Sequence, residues 1–384
     1  MNNLLEALNQ IFITNFHYII FGIFTAAFLV ELFFYFGFYL KISFYNTKPT
    51  VFHPKNPVSI IICARDEVDN LKKNLVRVLK QNDIQFEVFL TLDACVDNSI
   101  DYIKTFSETN PLLRYTVIPK DEKFTHGKKL ALTVGIKGAK YEHLLMTDAD
   151  CIPLSKVWAA RMTAHFNDNI SIVLGYGKYE PENSLLNKII RYDTFFNAQQ
   201  YLSMALRGIP YMGVGRNLAY TRSIYESQKG FSKHSHIESG DDDLFINAAA
   251  NSKNCTVEIS PESHTVSTAP NTFKRWFMQK CRHLKSSKEY KTKHKFLLTI
   301  EPISRYLVWF LPFALIIHQQ LFFIALIMLV FRIIFFMTII KLNMNKLREK
   351  KFWLFAPIFD LIIPVLIIVA TVYNRIYKNK LKWK

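Results

Sequence analysis

Cysteine is scarce in this 384-residue chain, and its five copies show no paired spacing. The number is odd and no Cys-x-x-Cys occurs, so a zinc site is not indicated and structural disulfides are not required. The histidines His126, His234, His236 and His264 likewise lack the spacing of metal ligands. These absences exclude a disulfide-stapled secreted domain and favour a reducing compartment.

Lys and Arg are missing from the first 17 residues, and an apolar stretch with a single charge follows at 18–40. The stretch is long enough to cross a bilayer. It is too long for the apolar core of a signal peptide, and neither a basic segment before it nor a small-residue cleavage site after it is present. We therefore predict a transmembrane helix.

Three further apolar blocks occupy residues 306–317, 321–340 and 354–373. The second is predicted to span the membrane. The first has only 12 residues before His318, so it spans only if residues 302–305 also enter the membrane, and otherwise lies at the interface. The third contains two prolines and an aspartate, which predicts a kinked or re-entrant segment.

The net charge of +17 is concentrated in three basic stretches, at 274–295, 341–351 and 375–384, and the remainder of the chain is neutral. Each stretch flanks an apolar block, a pattern typical of segments facing anionic cytoplasmic lipid rather than nucleic acid. Basic residues also follow the first span, at Lys41, Lys48 and Lys55. We predict a bacterial inner-membrane protein with a cytoplasmic region between residues 41 and 301. A full fourth span would place the basic tail outside, so that topology stays open.

The cytoplasmic region alternates strand-like and helix-like segments, which predicts a mostly parallel sheet covered by helices. The predicted strands are 58–63, 86–92, 115–118, 143–146 and 170–174, and the predicted helices are 67–80, 98–106 and 128–140.

Carboxylates follow three of these strands, where a parallel sheet binds its ligands. They are Asp66 and Glu67, Asp93 and Asp97, and Asp148 and Asp150. The last pair, in LLMTDADCIP, places two negative charges almost side by side. Such charges repel unless a cation lies between them, which suggests a divalent metal and a phosphate.

Seven segments, in order, resemble the family 2 glycosyltransferases. They are ARDE (64–67), LDACVDNS (92–99), HGKKLAL (126–132), TDAD (147–150), GVGRNLAYTRSIYESQKGF (213–231), SGDDDLF (239–245) and STAPNTFKRWFMQKCRH (267–283). The last is similar to the segment ending in Gln-x-x-Arg-Trp in membrane-bound polysaccharide synthases and ceramide glucosyltransferases. Single motifs are weak, but their shared order is specific.

The resemblance implies a GT-A fold (a Rossmann-like α/β domain) that binds a nucleotide-diphospho-sugar, usually a UDP-sugar, and acts with inversion. It assigns donor binding to Ala64, Arg65, Glu67, Asp93, Lys128, Asp148, Gln279 and Arg282. It assigns Mg or Mn to Asp148 and Asp150, and the acceptor side to Gly215, Arg216, Asn217 and His283. A cation and basic side chains suit the reaction, because negative charge grows on the departing diphosphate.

Inversion requires a base for the acceptor hydroxyl, and Asp241 and Asp242 are the candidates. Counting back from Leu244 favours Asp241, and counting forward from Gly240 favours Asp242, so the choice stays open. Acidic residues are also common at a helix N-terminus, which is the alternative reading of this segment.

His283 stands where the polymerising relatives have the Trp of Gln-x-x-Arg-Trp. Imidazole offers a smaller stacking face, which favours a single transfer to a lipid-linked or glycan acceptor over processive polysaccharide synthesis. A catalytically idle membrane scaffold is a third hypothesis, but no catalytic aspartate is missing.

The predicted organisation has six parts. They are an outer N-terminus (1–17), a transmembrane helix (18–40), a GT-A domain (41–269), an amphipathic interfacial segment (270–301), transmembrane or re-entrant helices (302–374) and a basic tail (375–384). Within the apolar blocks, Glu31 and Arg332 lie at similar predicted depths, and buried charges need partners, so we predict that they pair.

Overall fold

The computed structural model describes residues 2–46, 56–121, 126–237 and 239–377, with side chains from residue 15. The strands are β1 Val58–Ala64, β2 Phe86–Asp93, β3 Leu113–Ile118, β4 His143–Asp148, β5 Cys151–Pro153, β6 Ile172–Leu174, β7 Gly177–Tyr179, β8 Leu218–Thr221, β9 Cys255–Val257 and β10 Thr265–Ser267. The helices up to Ala249 are α1 Asn2–Phe34, α2 Leu40–Phe44, α3 Val68–Val78, α4 Ser99–Glu108, α5 Lys128–Gly138, α6 Trp158–Thr163, α7 Leu185–Leu206, α8 Arg222–Ser227 and α9 Asp243–Ala249. The remaining helices are α10 Phe273–Leu284, α11 Thr292–Ala314, α12 Gln319–Lys346 and α13 Ala356–Ile376.

A seven-stranded sheet in the order β3-β2-β1-β4-β8-β6-β9 forms the centre of the region between residues 56 and 270. Strands β1 to β4 pair in parallel, and β8 runs antiparallel to both β4 and β6. Every residue of β1 and β2 is buried, as expected of strands covered by helices on both faces. The predicted α/β fold is confirmed, and β5, β10 and β7 add a small second sheet.

The predicted strands and helices of this region are all present, with ends that differ by a few residues. Helix α7, which the sequence pattern did not reveal, buries residues on most of its surface, so its apolar residues show little helical periodicity. The loop after β8 and α8 leads to Asp241 and Asp242, directly before α9.

Within the part of the chain that the structure describes, four helical segments are long and apolar enough to cross a membrane: Asn15–Phe44, Thr292–Ala314, Gln319–Lys346 and Trp353–Ile376. The first continues from α1 through a π-helical turn at Tyr35–Tyr39 into α2. Helix α11 is continuous despite Pro302 and Pro312, and it includes residues 292–301, which the sequence suggested would be interfacial. Helix α13 is also continuous, with Pro364 inside it, so no re-entrant break is present there.

Ring contacts and hydrogen bonds define two levels along these helices. At one level His318, before α12, lies 5.5 Å from Tyr18 between ring centroids. At the other level Asn343 of α12 donates to the carbonyl of Tyr39 and to Gln199 of α7. The second level is therefore the one that faces the sheet region.

Both ends of α13 contact helices of the sheet region. Near its start, Phe359 is 5.4 Å from Tyr192 of α7 between ring centroids. Near its end, the side chain of Asn374 donates to the carbonyl of Cys281 in α10 at 2.7 Å. Between these contacts an exposed apolar stripe runs along the helix, at Ile358, Ile362, Val365, Ile368, Val369, Val372 and Ile376.

A buried group of charges lies among the apolar helices, and we call it the helix cluster: Glu31, Glu301, Arg305, Arg332 and Asp360. Arg332 Nε is 2.7 Å from Glu31, which confirms the predicted pair. The same guanidinium contacts Asp360 at 2.7 Å, and Arg305 joins Asp360 to Glu301.

Candidate active site

Carboxylates and one lysine meet at the carboxyl edge of the large sheet, and we call this group the cleft cluster: Lys128, Asp148, Asp150, Asp241 and Asp242. Lys128 opens α5, Asp148 ends β4, and the two adjacent aspartates precede α9. The ammonium of Lys128 lies 2.7 Å from Asp148 and 3.2 Å from Asp241. Asp148 and Asp241, more than 90 positions apart in the chain, thus contact the same ammonium group.

The negative charges of the neighbouring aspartates keep Lys128 protonated. Burial by itself lowers the pKa of a lysine, but Asp148, Asp241 and Asp242 outweigh that effect and hold its pKa well above the ordinary value. Reciprocally, burial would raise the pKa of Asp148, yet the Lys128 ammonium lowers it. Both groups are therefore charged at neutral pH.

Asp150 is placed differently from Asp148. Burial and then the charge of Asp148 raise its pKa, and Arg216 offsets only part of this. Oxygens of both carboxylates and the sulfur of Cys151 lie within 4.8 Å of one another. Carboxylate oxygens are the ligands that Mg²⁺ and Mn²⁺ prefer, and a cation here would offset the repulsion between Asp148 and Asp150. These residues therefore fit a divalent cation.

The three consecutive aspartates before and in α9 have separate environments. Asp241 contacts Lys128, and Asp243 accepts hydrogen bonds from Ser286 and from Tyr290 at 2.7 Å. Both oxygens of Asp242 accept backbone N–H groups, from Gly215 at 2.8 Å and Asp243 at 2.7 Å. Burial, with the neighbouring charges of Asp241 and Asp243, raises the pKa of Asp242 to about 7.

Gly215 permits a close approach in this cleft. A Cβ atom at this position would lie 3.1 Å from Lys128 Nζ and 3.5 Å from an oxygen of Asp242. A larger residue would therefore push apart the lysine and the loop that carries the aspartates.

The next residue, Arg216, packs its guanidinium 4.4 Å from the ring centroid of Tyr179 and donates to Ser267 at 3.2 Å. Asn217 is fully buried, and its amide bonds Trp158, Tyr176 and Ser263. The side chain of Asn217 holds the loop in place and does not face the cleft, unlike the acceptor-side role expected from the sequence.

Helix α10 forms the other wall of the cleft. Gln279 makes a long contact of 3.5 Å to the hydroxyl of Tyr179, and Lys280 pairs with Asp193 of α7 at 2.6 Å. Arg282 is near enough to contribute to the lowered pKa of Asp148. Desolvation of the ring, and then the charges of Arg282 and Lys280, lower the pKa of His283, so its imidazole is neutral at pH 7.

A second group of polar contacts lies at the ends of β1 and β2, around Asp93. Asp93 is fully buried, and one of its oxygens lies 2.6 Å from Nδ1 of His126, whose other ring nitrogen contacts the backbone of Asp121. The other oxygen of Asp93 is buried without a hydrogen-bond partner among the residues the structure describes. Such an atom is costly unless a ligand donates to it.

The remaining donor-side candidates lie near Asp93, at and after the end of β1. Ala64 ends β1 in a buried position, and Arg65 is half-buried next to it. Glu67 accepts a hydrogen bond from Asn70 at 2.5 Å. Asp66 and Asp97 bond backbone N–H groups across the two loops, which explains these acids as loop-forming residues.

Sequence reasoning missed Tyr179, which links Arg216 to Gln279, and the pairing of His126 with Asp93. No local signal could have indicated either contact, because the partners lie more than 30 residues apart and have no shared motif.

A sheet of this order, with carboxylates and a lysine at its carboxyl edge, defines a mixed α/β protein with a polar cleft. A family model described as Glycosyl transferase family 21 matches residues 23–383. The chain therefore belongs to glycosyl transferase family 21, and it is an enzyme of the glycosyltransferase class. The finer likeness to family 2 and to ceramide glucosyltransferases stays a prediction.

Among solved structures, the chain is similar to the mannosyltransferase PcManGT from Pyrobaculum calidifontis, whose structure was solved in complex with GDP-Man and Mn²⁺. The two share 17% identity over 95% of this chain and 99% of that chain, with a TM-score of 0.58. A structure of residues 1–349 of TarS from S. aureus matches at 17% identity over 83% of this chain and 91% of that chain, with a TM-score of 0.42. No curated protein sequence matches this chain.

Proposed function

We propose that this enzyme transfers a sugar from a nucleotide-diphospho-sugar to a lipid-linked or glycan acceptor, with inversion. The contact of one ammonium, Lys128 Nζ, with both Asp148 and Asp241 carries the proposal. Asp148 lies on the side predicted for the diphosphate and Asp241 on the side predicted for the acceptor. A single transfer centre requires these two sides to be adjacent.

The proposed contact for the nucleotide base is Asp93. Its unpartnered carboxylate oxygen can accept an N–H from a ring nitrogen of the base. Uracil and guanine both offer such a donor, so this contact does not choose between them. A UDP-sugar follows from the resemblance of the motifs, and PcManGT was solved with GDP-Man, so both donor classes belong in the test.

Asp148 and Asp150 are the proposed ligands for a divalent cation, either Mg or Mn. The raised pKa of Asp150 and the presence of Mn²⁺ in the PcManGT complex support this assignment. When bound, the cation would stabilise negative charge on the diphosphate. Lys128 and Arg282 would add positive charge at the same place, because both lower the pKa of Asp148.

Asp241 is the proposed base. Each oxygen of Asp242 already accepts a backbone N–H group, so this residue orients the Gly215 loop and the start of α9. Asp241 contacts Lys128 and no other cation among the described residues, and it can receive a proton from an acceptor hydroxyl.

The acceptor is proposed to enter between α10 and the loop that carries Gly215 and Arg216. His283 on this wall is neutral, and it presents a smaller face than the Trp of polymerising relatives. A neutral imidazole can both pack against a sugar ring and hydrogen-bond it. This supports a single transfer over processive synthesis.

The proposed membrane arrangement has three crossing segments: α1 with α2, α11 and α12. Helix α13 is proposed to lie along the membrane surface, because its two ends contact α7 and α10, which are both at the sheet-facing level. Its exposed apolar stripe then faces lipid. This placement keeps the residues after Ile376 on the catalytic side, and it removes the conflict between the basic tail and a fourth crossing.

Cysteine accessibility tests this placement. The full chain with Ile376→Cys, in sealed membrane vesicles of known orientation, is treated with a thiol reagent that does not cross bilayers. Asp168→Cys, on the exposed surface of the sheet region, marks the catalytic side. We expect both cysteines to react in the same vesicles; reaction on opposite sides would show that α13 crosses.

Nucleotide release tests the function. Purified full-length protein is supplied with a panel of UDP-sugars and GDP-sugars and with lipid extract, with and without Mn²⁺ or Mg²⁺. The same assay is applied to Asp150→Asn and to the exposed matched control Asp168→Asn. We expect one donor to turn over only with metal, and only in wild type and the control. Turnover that is equal without metal and in Asp150→Asn would contradict the proposed roles.

A further inference from the structure

A second cavity, separate from the cleft, lies at the turn between α12 and α13. Its volume is about 530 Å³, and its wall includes Lys341, Arg348, Lys350, Lys351 and Trp353. The four basic side chains belong to exposed residues, and none of them forms an ion pair with another described residue. The cavity therefore presents four positive charges that its own walls do not balance.

Glu349 is the one carboxylate on this wall, and it is already neutralised. It is buried, it forms an ion pair with Arg191 of α7, and it accepts a hydrogen bond from the hydroxyl of Tyr176 at 2.9 Å. The surplus of positive charge also reaches Lys178, which donates to the carbonyl of Arg348 at 3.2 Å. Burial lowers the pKa of Lys178, and the nearby cations, Arg348 among them, lower it further.

Two of the basic residues occupy backbone positions that favour glycine. Arg348 has φ of 54° and Lys351 has φ of 71°. Arg348 lies two residues after the end of α12, in a turn in which the N–H of Glu349 donates to the carbonyl of Met344 at 2.8 Å. Glycine is the usual residue at such a helix end, because a Cβ atom makes the left-handed conformation unfavourable. At both left-handed positions the chain has a cation, Arg348 or Lys351, instead of glycine, which points to a role for the positive charges.

The cavity lies where the apolar helices end. Lys341 directly follows the apolar run of α12, and its ammonium is 5.5 Å from the ring centroid of Trp353. The indole N–H of Trp353 donates to the carbonyl of Met337, one turn earlier in α12. Leu354 beside it is 73% exposed. A basic rim, a half-buried Trp and an exposed apolar side chain are typical of the bilayer boundary.

We propose that this cavity binds the phosphate headgroup of an anionic phospholipid. The cations would contact the phosphate, and Leu354 and the stripe of α13 would lie against the acyl chains. The proposal goes beyond sugar transfer and depends on the membrane arrangement, not on the catalytic roles. A binding assay therefore tests it even if no donor is turned over.

The test compares lipid binding to full-length protein in neutral detergent by native mass spectrometry. Phosphatidylglycerol is titrated against phosphatidylcholine for wild type, Arg348→Gly, Lys351→Gly and the double variant. Lys229→Gly is the matched control, because Lys229 is an exposed lysine with φ of 58° that lies just after α8, in the sheet region. Glycine relieves the backbone at all three positions, so none of these variants should unfold.

We expect phosphatidylglycerol to bind wild type and Lys229→Gly alike. Each cavity substitution should weaken it about fivefold and the double variant about thirtyfold, from the usual contribution of a cation near anionic lipid. Melting temperatures without lipid should be unchanged or a few degrees higher. The proposal is overturned if the double variant binds phosphatidylglycerol like wild type, if phosphatidylcholine binds equally well, or if millimolar inorganic phosphate displaces the lipid.

Discussion

Charged side chains gather in two places in this protein, the cleft cluster at the sheet edge and the helix cluster among the apolar helices. In the helix cluster every carboxylate contacts an arginine, and two cations face three anions. In the cleft cluster Lys128 contacts two of four carboxylates, and Asp150 and Asp242 contact no cation among the described residues.

The difference corresponds to two uses of buried charge. Charges that partner one another in an apolar surrounding fix how elements pack, and removing one leaves another unpaired. In the cleft cluster the carboxylates outnumber the cation. They therefore raise one another's pKa, as at Asp150 and Asp242, and favour the binding of a metal ion or a proton. We therefore expect changes in the cleft cluster to alter catalysis, and changes in the helix cluster to alter stability.

Asp241→Asn is expected to have the largest effect. Loss of a general base reduces turnover by a factor of about 10² to 10⁴, and we expect about 10³ here. The measurement is nucleotide release at saturating donor, with melting temperature as the check on folding. If Asp242→Asn reduced turnover more than Asp241→Asn does, the assignment of the base would be wrong.

Arg332→Gln should lower stability and leave the cleft chemistry intact in the protein that remains folded. The substitution leaves Glu31 without a cation and Asp360 with Arg305 alone, and breaking a buried ion pair in this way costs about 3–5 kcal/mol. Unfolding in mixed detergent measures the change. Arg77→Gln, on the exposed surface of α3, removes the same charge and should cost little.

A double-mutant cycle sharpens this prediction. Glu31→Gln and Arg332→Gln remove the two ends of one contact, so their destabilisations should fall short of additivity by about 1–3 kcal/mol. Asp360 remains beside position 332 in both backgrounds and limits the coupling energy. Additive losses would mean that the 2.7 Å contact contributes nothing to stability.

The smallest expected effect is a shift in pH dependence. Because the pKa of Asp242 is raised to about 7, this carboxyl releases its proton near neutral pH, and its ionised form accepts the N–H groups of Gly215 and Asp243 more strongly than the neutral acid does. Wild-type kcat/KM should therefore decline as the pH falls below about 7. Asp242→Asn has no such titration, so this decline should be absent from its profile. A variant profile that still declines below pH 7 would show that Asp242 is not the group that titrates.

The cleft cluster was largely predictable because its members end strands or begin helices. Apolar runs such as Val58–Ala64 fix the strands, and parallel strands bring Asp93 and Asp148 to one edge. The partners of those residues were not predictable. His126 reaches Asp93 across 33 positions, and Asn217 turns its amide inward to the core, which only the packed structure reveals.

The helix cluster was half predictable. Counting residues from the start of each span places Glu31 and Arg332 at similar depth, and the structure joins them. The same counting could not place Asp360, because the contacts of α13 with the sheet region cannot be read from its own residues. Its ends contact α7 and α10, and these contacts bring Asp360 to Arg332.

One hydrophobic core runs from the apolar helices into the sheet region without interruption, from Phe34 and Ile340 through Phe195 and Phe359 to Ile172. A fragment cut at the end of α10 would expose the face of α7 that α13 and the turn before it cover, including Tyr192 and Phe195. Exposed surfaces of this kind drive aggregation. The enzyme therefore cannot be simplified for study or for engineering into a soluble catalytic fragment, and libraries that recombine membrane anchors between relatives would need to exchange α7 along with them.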